Sequence, residues 1–430
     1  MSADNAVEKI HKFEKFGSVL GLERMRSLMD LLGNPQDKLR FIHVAGTNGK
    51  GSVCKYIYEA LESQGYKTGL YTSPFLVVFN ERIEFDHKYI SDMELEAYTD
   101  RVIEAVKVMI SRGEDSPTEF ELITAIAFLY FYEKGADFVV LEVGLGGIGD
   151  ATNIIEKPLC SVIASISFDH TEILGDTIWE IATNKAGIIK KDCPVVTSAK
   201  DDEAIDVFRE VAATFHSQLF ETRNAEYKLN YSGLAGQSFD TKIMDKDYKG
   251  LVLNMLGKHQ IENAILALTA LDVMRNNGSL VLSDRSIYEG FKCAKQIARF
   301  EVIDEKIILD GAHNPDGAKS LLNTVQQNLA GKRVLMVLGI LKDKDVDTVL
   351  ESFKMIASDF AVTEPVSPRK MDIHTLEKKL ISLGSNVIYK DSDYKSVCDF
   401  VLKKKDEYDV VLFAGSLYLV GAVKGYLLKN

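Results

Sequence analysis

Lys50 stands inside the run Gly46-Thr47-Asn48-Gly49-Lys50-Gly51-Ser52, the segment of this chain best equipped for chemistry. Its glycines let backbone N–H groups turn inward toward phosphate oxygens. The run RFIHVA (40–45) just before it reads as a strand, and a helix is expected to begin at about Ser52. The positive end of that helix would face the same anion. Lys50 is placed for the terminal phosphates of a nucleotide, and the Ser52 hydroxyl for phosphate or Mg²⁺. The strict phosphate-loop pattern has Ser or Thr immediately after the lysine. Here Gly51 intervenes, so this is a variant loop. A glycine-rich turn with a surface lysine is the competing reading, and the strand–loop–helix context weighs against it.

Two further candidates lie at the ends of apolar runs: Glu142 in DFVVLEV (137–143) and His170 just after CSVIASISFD (160–169). Open α/β sheets bind their ligands at such strand ends. Two motifs nearby are decoys. Gly144-x-Gly146-x-x-Gly149, with Asp169 further on, imitates a dinucleotide-binding fingerprint. The stretch between them is short, contains Pro158 and lacks an amphipathic pattern, whereas that fold requires a crossover helix. Asn184-Lys185 resembles the guanine-reading element of GTPases, but Gly187 stands where an acid would be needed.

The elements that must position these residues alternate. FIHVAG, KTGLYTS, DFVVLEVG, CSVIASIS and PVVTS read as buried strands. Stretches 52–63, 92–111, 118–133 and 177–189 read as helices between them. This pattern predicts a parallel α/β architecture. Residues 218–256 change to alternating patterns broken by Gly, Asp and Asn, which predicts a small antiparallel section attached to the first domain. A second α/β series begins near Phe300, so the expected domains are 1–295 and 300–430.

Composition narrows the function classes. At 430 residues, 46% hydrophobic and 27% charged, the chain can bury two sizeable cores. A net charge of -12 argues against nucleic acid as a partner. The five cysteines have neither disulfide-framework nor zinc spacing, which fits a reducing compartment. The charged N-terminus has no signal-peptide core, and the most apolar late run, 410–423, is too short to span a bilayer. A cytoplasmic monomer acting on small molecules, with no membrane partner, is expected.

Taken in order, AGTNGKGS (45–52), TSPF…NERI (72–83), TEFE (118–121), LEVGLGG…DATN (141–153), DHTEILGDT…IATNKAGI (169–188), GKHQIENA (257–264), RFE (299–301), DGAHNP (310–315) and GSLYLVG (415–421) span nearly the whole chain. This ordered set resembles the folylpolyglutamate synthase/dihydrofolate synthase family of the Mur ligase superfamily. The resemblance implies a phosphate-loop N-terminal domain and a smaller Rossmann-like C-terminal domain. It also implies a reaction in which ATP phosphorylates a folate carboxylate and the amine of L-glutamate attacks the acyl phosphate. Some members also couple dihydropteroate to glutamate.

The resemblance assigns roles residue by residue. Gly49, Lys50, Gly51 and Ser52 are implied to hold ATP, together with Asn263 at the adenine and Arg299 and Asp310 from the second domain. The nucleotide is expected between the domains. Ser73, Glu142, His170 and Lys185 are implied metal ligands for two Mg²⁺ sites, with Lys185 carbamylated. Lys50, Glu142, His170 and Lys185 form the implied catalytic set. Ser73, Phe75 and Arg82 resemble a folate-facing loop, Ser416 resembles a glutamate-site residue, and His313 is an implied substrate-binding residue of the second domain. Read without the family, Ser73 suits a turn before Pro74 equally well, and His313 suits a loop or cap. The chain departs from many relatives at Ile297-Ala298, where they have Pro-Gly, and at Ile148, where they have arginine. Among rivals, a cell-wall Mur ligase would need an additional N-terminal domain, for which the residues before Arg40 are too few. A nucleotide-driven switch lacks its base-reading acid, and a non-catalytic ATP-binding module would not need Glu142, His170 and Lys185 together.

Overall fold

The computed structural model describes residues 4–14, 20–304 and 306–428. The first sheet comprises β1 (Phe41–Ala45), β2 (Thr68–Tyr71), β3 (Ile83–Phe85), β4 (Lys88–Tyr89), β5 (Phe138–Glu142), β6 (Cys160–Ile163), β7 (Val195–Thr197) and β8 (Leu219–Glu221). Across the sheet they run β4-β3-β2-β5-β1-β6-β7-β8. β1 lies between β5 and β6 and is parallel to both. Helices cover parallel strands on both faces, so such strands read as unbroken apolar runs. Every residue of β1 and β5 is buried. Only the β3–β4 hairpin runs antiparallel to its neighbours.

The helices begin where their caps dictate. Lys50–Gln64 starts at Lys50 rather than Ser52, because Gly49 in the left-handed region (φ 89°) turns the chain at once. Asp92–Ser111 is the expected helix, closed by the Ser91/Glu94 capping box. Glu119–Lys134 follows a Thr118/Glu121 box, and Ile178–Ala186 a Thr177/Glu180 box. This last helix stops at Ala186, short of the expected Ile189. It carries Trp179 at its start, 52% exposed, and Lys185 in its last turn.

β9 (Tyr227–Gly233), β10 (Gly236–Ile243) and β11 (Lys246–Leu253) form a separate sheet in the order β11-β10-β9. Their tight connections are those of antiparallel neighbours. The third sheet contains β12 (Glu301–Val302), β13 (Ile307–Leu309), β14 (Val334–Leu338), β15 (Asp359–Val362), β16 (Asn386–Lys390) and β17 (Val410–Ala414), ordered β12-β13-β17-β14-β15-β16. It is parallel except for β12.

The chain forms two units. The first contains Met1–Tyr227, Thr241–Leu251 and Glu262–Ala294. The second contains Lys228–Asp240, Val252–Ile261 and Lys295–Asn430. Part of the small sheet, expected with the first domain, therefore packs with the second unit. Among the described residues, no helix is long and apolar enough to cross a membrane.

Candidate active site

In the first unit, the loop after β1 needs glycine for two separate reasons. Gly46 (φ 144°) and Gly49 (φ 89°) adopt backbone that L side chains rarely take. A Cβ on Gly46 would come 2.8 Å from the Ala164 Cβ, and one on Gly49 would come 2.5 Å from Asn263 Oδ1. Asn263, buried in the helix Lys258–Asn276, thus lies directly against the loop. The loop is also pinned to the segment after β6. Thr47 N–H donates to the Ser165 carbonyl (2.7 Å), and the Thr47 hydroxyl donates to the Ser167 carbonyl (3.0 Å).

Two lysine side chains converge on one carbonyl. Lys50 Nζ donates to Gly46 O (3.0 Å) and Thr47 O (3.2 Å), while Lys185 Nζ donates to the same Gly46 O (3.0 Å). Burial, followed by the charge of Lys50, pushes Lys185 down to about 7, against the opposing pull of Asp169 and Asp150. An amine titrating there is substantially neutral at physiological pH. Both lysines, with Thr47, Gly144, Asp169 and His170, line one pocket.

Glu142, at the end of β5, is only 4% exposed. Its Oε2 accepts the Ser73 N–H at 3.2 Å, so these two predicted residues are brought together. Glu142 and Lys50 both act electrostatically on the Cys54 thiol, which burial pushes well up. His170 follows β6 in the left-handed region (φ 52°), its side chain 45% exposed beside Asp169. The Arg82 guanidinium lies 5.3 Å from the Phe75 ring centre and 5.2 Å from that of Phe79, and 3.9 Å from Glu119. Phe75 and Arg82 thus form one cation–π cluster.

In the second unit, Arg299 is held between two left-handed non-glycine residues, Ala298 (φ 58°) and Phe300 (φ 49°). Buried Asp310 accepts the N–H groups of Phe300 (2.8 Å) and Ala312 (2.8 Å). Burial raises this carboxyl, opposed first by Arg299 and then by those backbone donors. His259 is pushed down to about 4 by burial and then by Arg299. His313 Nδ1 donates to the Gly311 carbonyl at 2.8 Å. Ser416, 1% exposed, caps the helix Leu417–Leu427 by accepting the Tyr418 N–H. Its hydroxyl therefore has a structural duty that the sequence reading did not foresee.

Both decoys resolve on geometry. Only the short helical turn Ala151–Ile154 separates β5 from β6, and β1 lies between those strands. The glycines of 144–149 therefore open no crossover helix. Lys185 is turned onto the glycine loop after β1, away from any base-reading role. Asp169 and Thr47, not chosen from sequence as site residues, belong to the pocket. Their signal was position alone: a strand end and the phosphate loop itself.

Residues 44–271 match the Mur ligase middle domain, and residues 298–417 the Mur ligase glutamate ligase domain. A Bacillus subtilis dihydrofolate synthase/folylpolyglutamate synthase is 38% identical over 421 residues, covering 96% of each chain. The chain belongs to the folylpolyglutamate synthase/dihydrofolate synthase family. The Thermotoga maritima folylpolyglutamate synthase structure superposes with a TM-score of 0.87 at 36% identity, covering 99% of this chain and 97% of that one. A folylpolyglutamate synthase–AMPPCP–folate complex matches over 100% of both chains, with a TM-score of 0.86 at 33% identity. Family membership sharpens one local observation. Where many members have Pro-Gly before the arginine, this synthase-family chain places Ala298 in a left-handed conformation suited to glycine.

Proposed function

We propose that this chain adds L-glutamate to folates through an acyl phosphate, with the residues of the first unit's pocket performing the phosphoryl transfer. The enzyme is an ATP-dependent folate–glutamate ligase. The observation that carries the residue assignment is the convergence of Lys50 and Lys185 on Gly46 O, within a glycine loop whose pocket also takes in His170. Phosphoryl transfer needs positioning and charge neutralisation more than covalent help. In this reading the backbone N–H groups of Gly49, Gly51 and Ser52 and the Lys50 ammonium supply both. Asn263, lying against Gly49, offers the donor and acceptor that an adenine edge requires.

The donor set suits Mg²⁺. Glu142 gives a buried carboxylate and Ser73 a hydroxyl, with His170 lining the neighbouring pocket, and Mg²⁺ usually keeps water and phosphate oxygens among its ligands. When bound, it neutralises charge on the phosphate oxygens. Lys185, titrating at about 7, is the kind of neutral amine that accepts CO₂ to become a carbamate, an additional acidic ligand. Arg299 and Asp310 are the second unit's nucleotide residues in this reading, and His313 and Ser416 its glutamate-side residues. Phe75 and Arg82 offer an aromatic face and a cation to the acceptor's ring and carboxylate.

The test is ATP-dependent incorporation of radiolabelled glutamate, run in parallel with tetrahydrofolate and dihydropteroate. Incorporation into tetrahydrofolate alone makes the enzyme a polyglutamate synthase, and into both a bifunctional one. No incorporation into either by folded, ATP-binding protein would overturn the proposal.

A further inference from the structure

β1 is apolar apart from His43, which is completely buried at its centre. Its Nε2 lies 2.9 Å from Thr152 Oγ1. Thr152 gives its only hydroxyl proton to Asp150 Oδ1. The hydroxyl must therefore accept from the ring, which makes Nε2 the protonated nitrogen. Burial and the nearby charge of Lys190 push this imidazole down to about 3, so it stays neutral, and Nδ1 has no partner. Asp150 also accepts the Thr152 N–H at 3.0 Å, and its second oxygen takes the Leu145 N–H at 2.8 Å. The donor directions of the whole series are thereby set, from the core of β1 to the loop after β5.

That loop borders the phosphate pocket through Gly144, Leu145 and Gly146. It is also closely fitted to the helix carrying Lys185. A Cβ on Gly147 would come 2.6 Å from Asn184 O and 3.0 Å from Lys185 O, and Ile148 N–H donates to Asn184 O at 3.0 Å. A shift of the loop would therefore press on the end of the helix that presents Lys185.

We propose that His43 is a positioning residue: through Thr152 and Asp150 it holds the Gly144–Gly146 backbone and the Lys185 helix end in register for ligation. The proposal rests on the ligase reading above. His43 does not line that pocket, so its loss acts on turnover more than on nucleotide binding. Misplacement of reacting groups by a fraction of an ångström to 1 Å costs roughly 10- to 100-fold in rate.

The experiment compares His43→Leu, which removes the ring donor, with His43→Gln, whose amide can replace Nε2–H. It makes the same comparison for Thr152→Val and Thr152→Ser. The expected result is a roughly tenfold or greater fall in kcat for the Leu and Val variants, with KM for ATP changed less than about twofold, and recovery in Gln and Ser. Amide hydrogen exchange of the 144–150 segment should quicken in the Leu and Val variants and slow again in the Gln and Ser variants. This readout needs no turnover, so it decides the positioning role even if the wild type ligates nothing, a result that would count against the ligase reading alone. Should His43→Leu not fold, the Thr152 pair tests the same junction. Unchanged exchange in 144–150, or equal loss in the donor-keeping and donor-lacking variants, overturns the proposal.

Discussion

Both units place a cation beside left-handed backbone, but they fill those positions differently. Around Lys50 the residues are Gly46 and Gly49; around Arg299 they are Ala298 and Phe300. The first loop needs clearance as well as conformation, since any Cβ would run into Ala164 or Asn263. At Ala298 a methyl group is accommodated, and its backbone is tied by a 2.7 Å bond from Gly311 N–H to its carbonyl. Conformational strain costs about 1–2 kcal/mol per residue and can be offset elsewhere. A steric block in a loop proposed to wrap an anion has no such remedy. The contrast separates glycine that is indispensable from glycine that is merely preferred.

The largest expected effect comes from removing the charge that the glycine loop serves. Lys50→Ala should lower kcat by roughly 10³-fold or more if, as proposed, its ammonium stabilises the transferring phosphoryl group. Near-normal glutamate incorporation would show that the loop has been misassigned. Gly49→Ala should lower kcat/KM for ATP by about 10²-fold, since the added methyl must displace Asn263 as well as strain the backbone. Activity close to wild type would abolish the distinction drawn above.

Lys185 gives an intermediate effect that is read through pH. Its folded value of about 7 lies below the ordinary 10.5. Between those values the unfolded chain binds more protons than the folded one, so Lys185 makes stability rise with pH across that window. Urea unfolding at several pH values from 7 to 10 should show this rise, and Lys185→Met should flatten it. An unaltered slope in the variant would mean that the amine is not buried as described. The smallest effect belongs to the second unit: Ala298→Gly should stabilise by about 0.5 kcal/mol, the relieved strain being partly cancelled by a more flexible unfolded chain. A loss of stability there would show that Ala298 is favoured for its packing.

Much of this arrangement was legible from residues alone because it rests on local rules. The β1 run, the loop glycines and the helices beginning near residues 118 and 177 each announce themselves within a few positions. What stayed hidden depends on distant partners. A single histidine in an apolar strand gives no sign that Thr152 will accept its hydrogen bond. The hairpin pattern of 227–253 specifies strands but not the unit with which they pack. Ser416 could be placed in a motif, yet its hydroxyl's engagement with Tyr418 N–H follows from where the next helix starts.

Trp179 is the chain's single tryptophan, and it opens the short helix that ends with Lys185. The protein therefore has an intrinsic fluorophore with one emitter, half open to solvent, on the element that carries the buried Lys185 amine. Its emission follows that helix undiluted by other indoles. Rapid mixing with nucleotide, folate or bicarbonate in turn would resolve the order in which the Lys185 region responds, in real time and without a label.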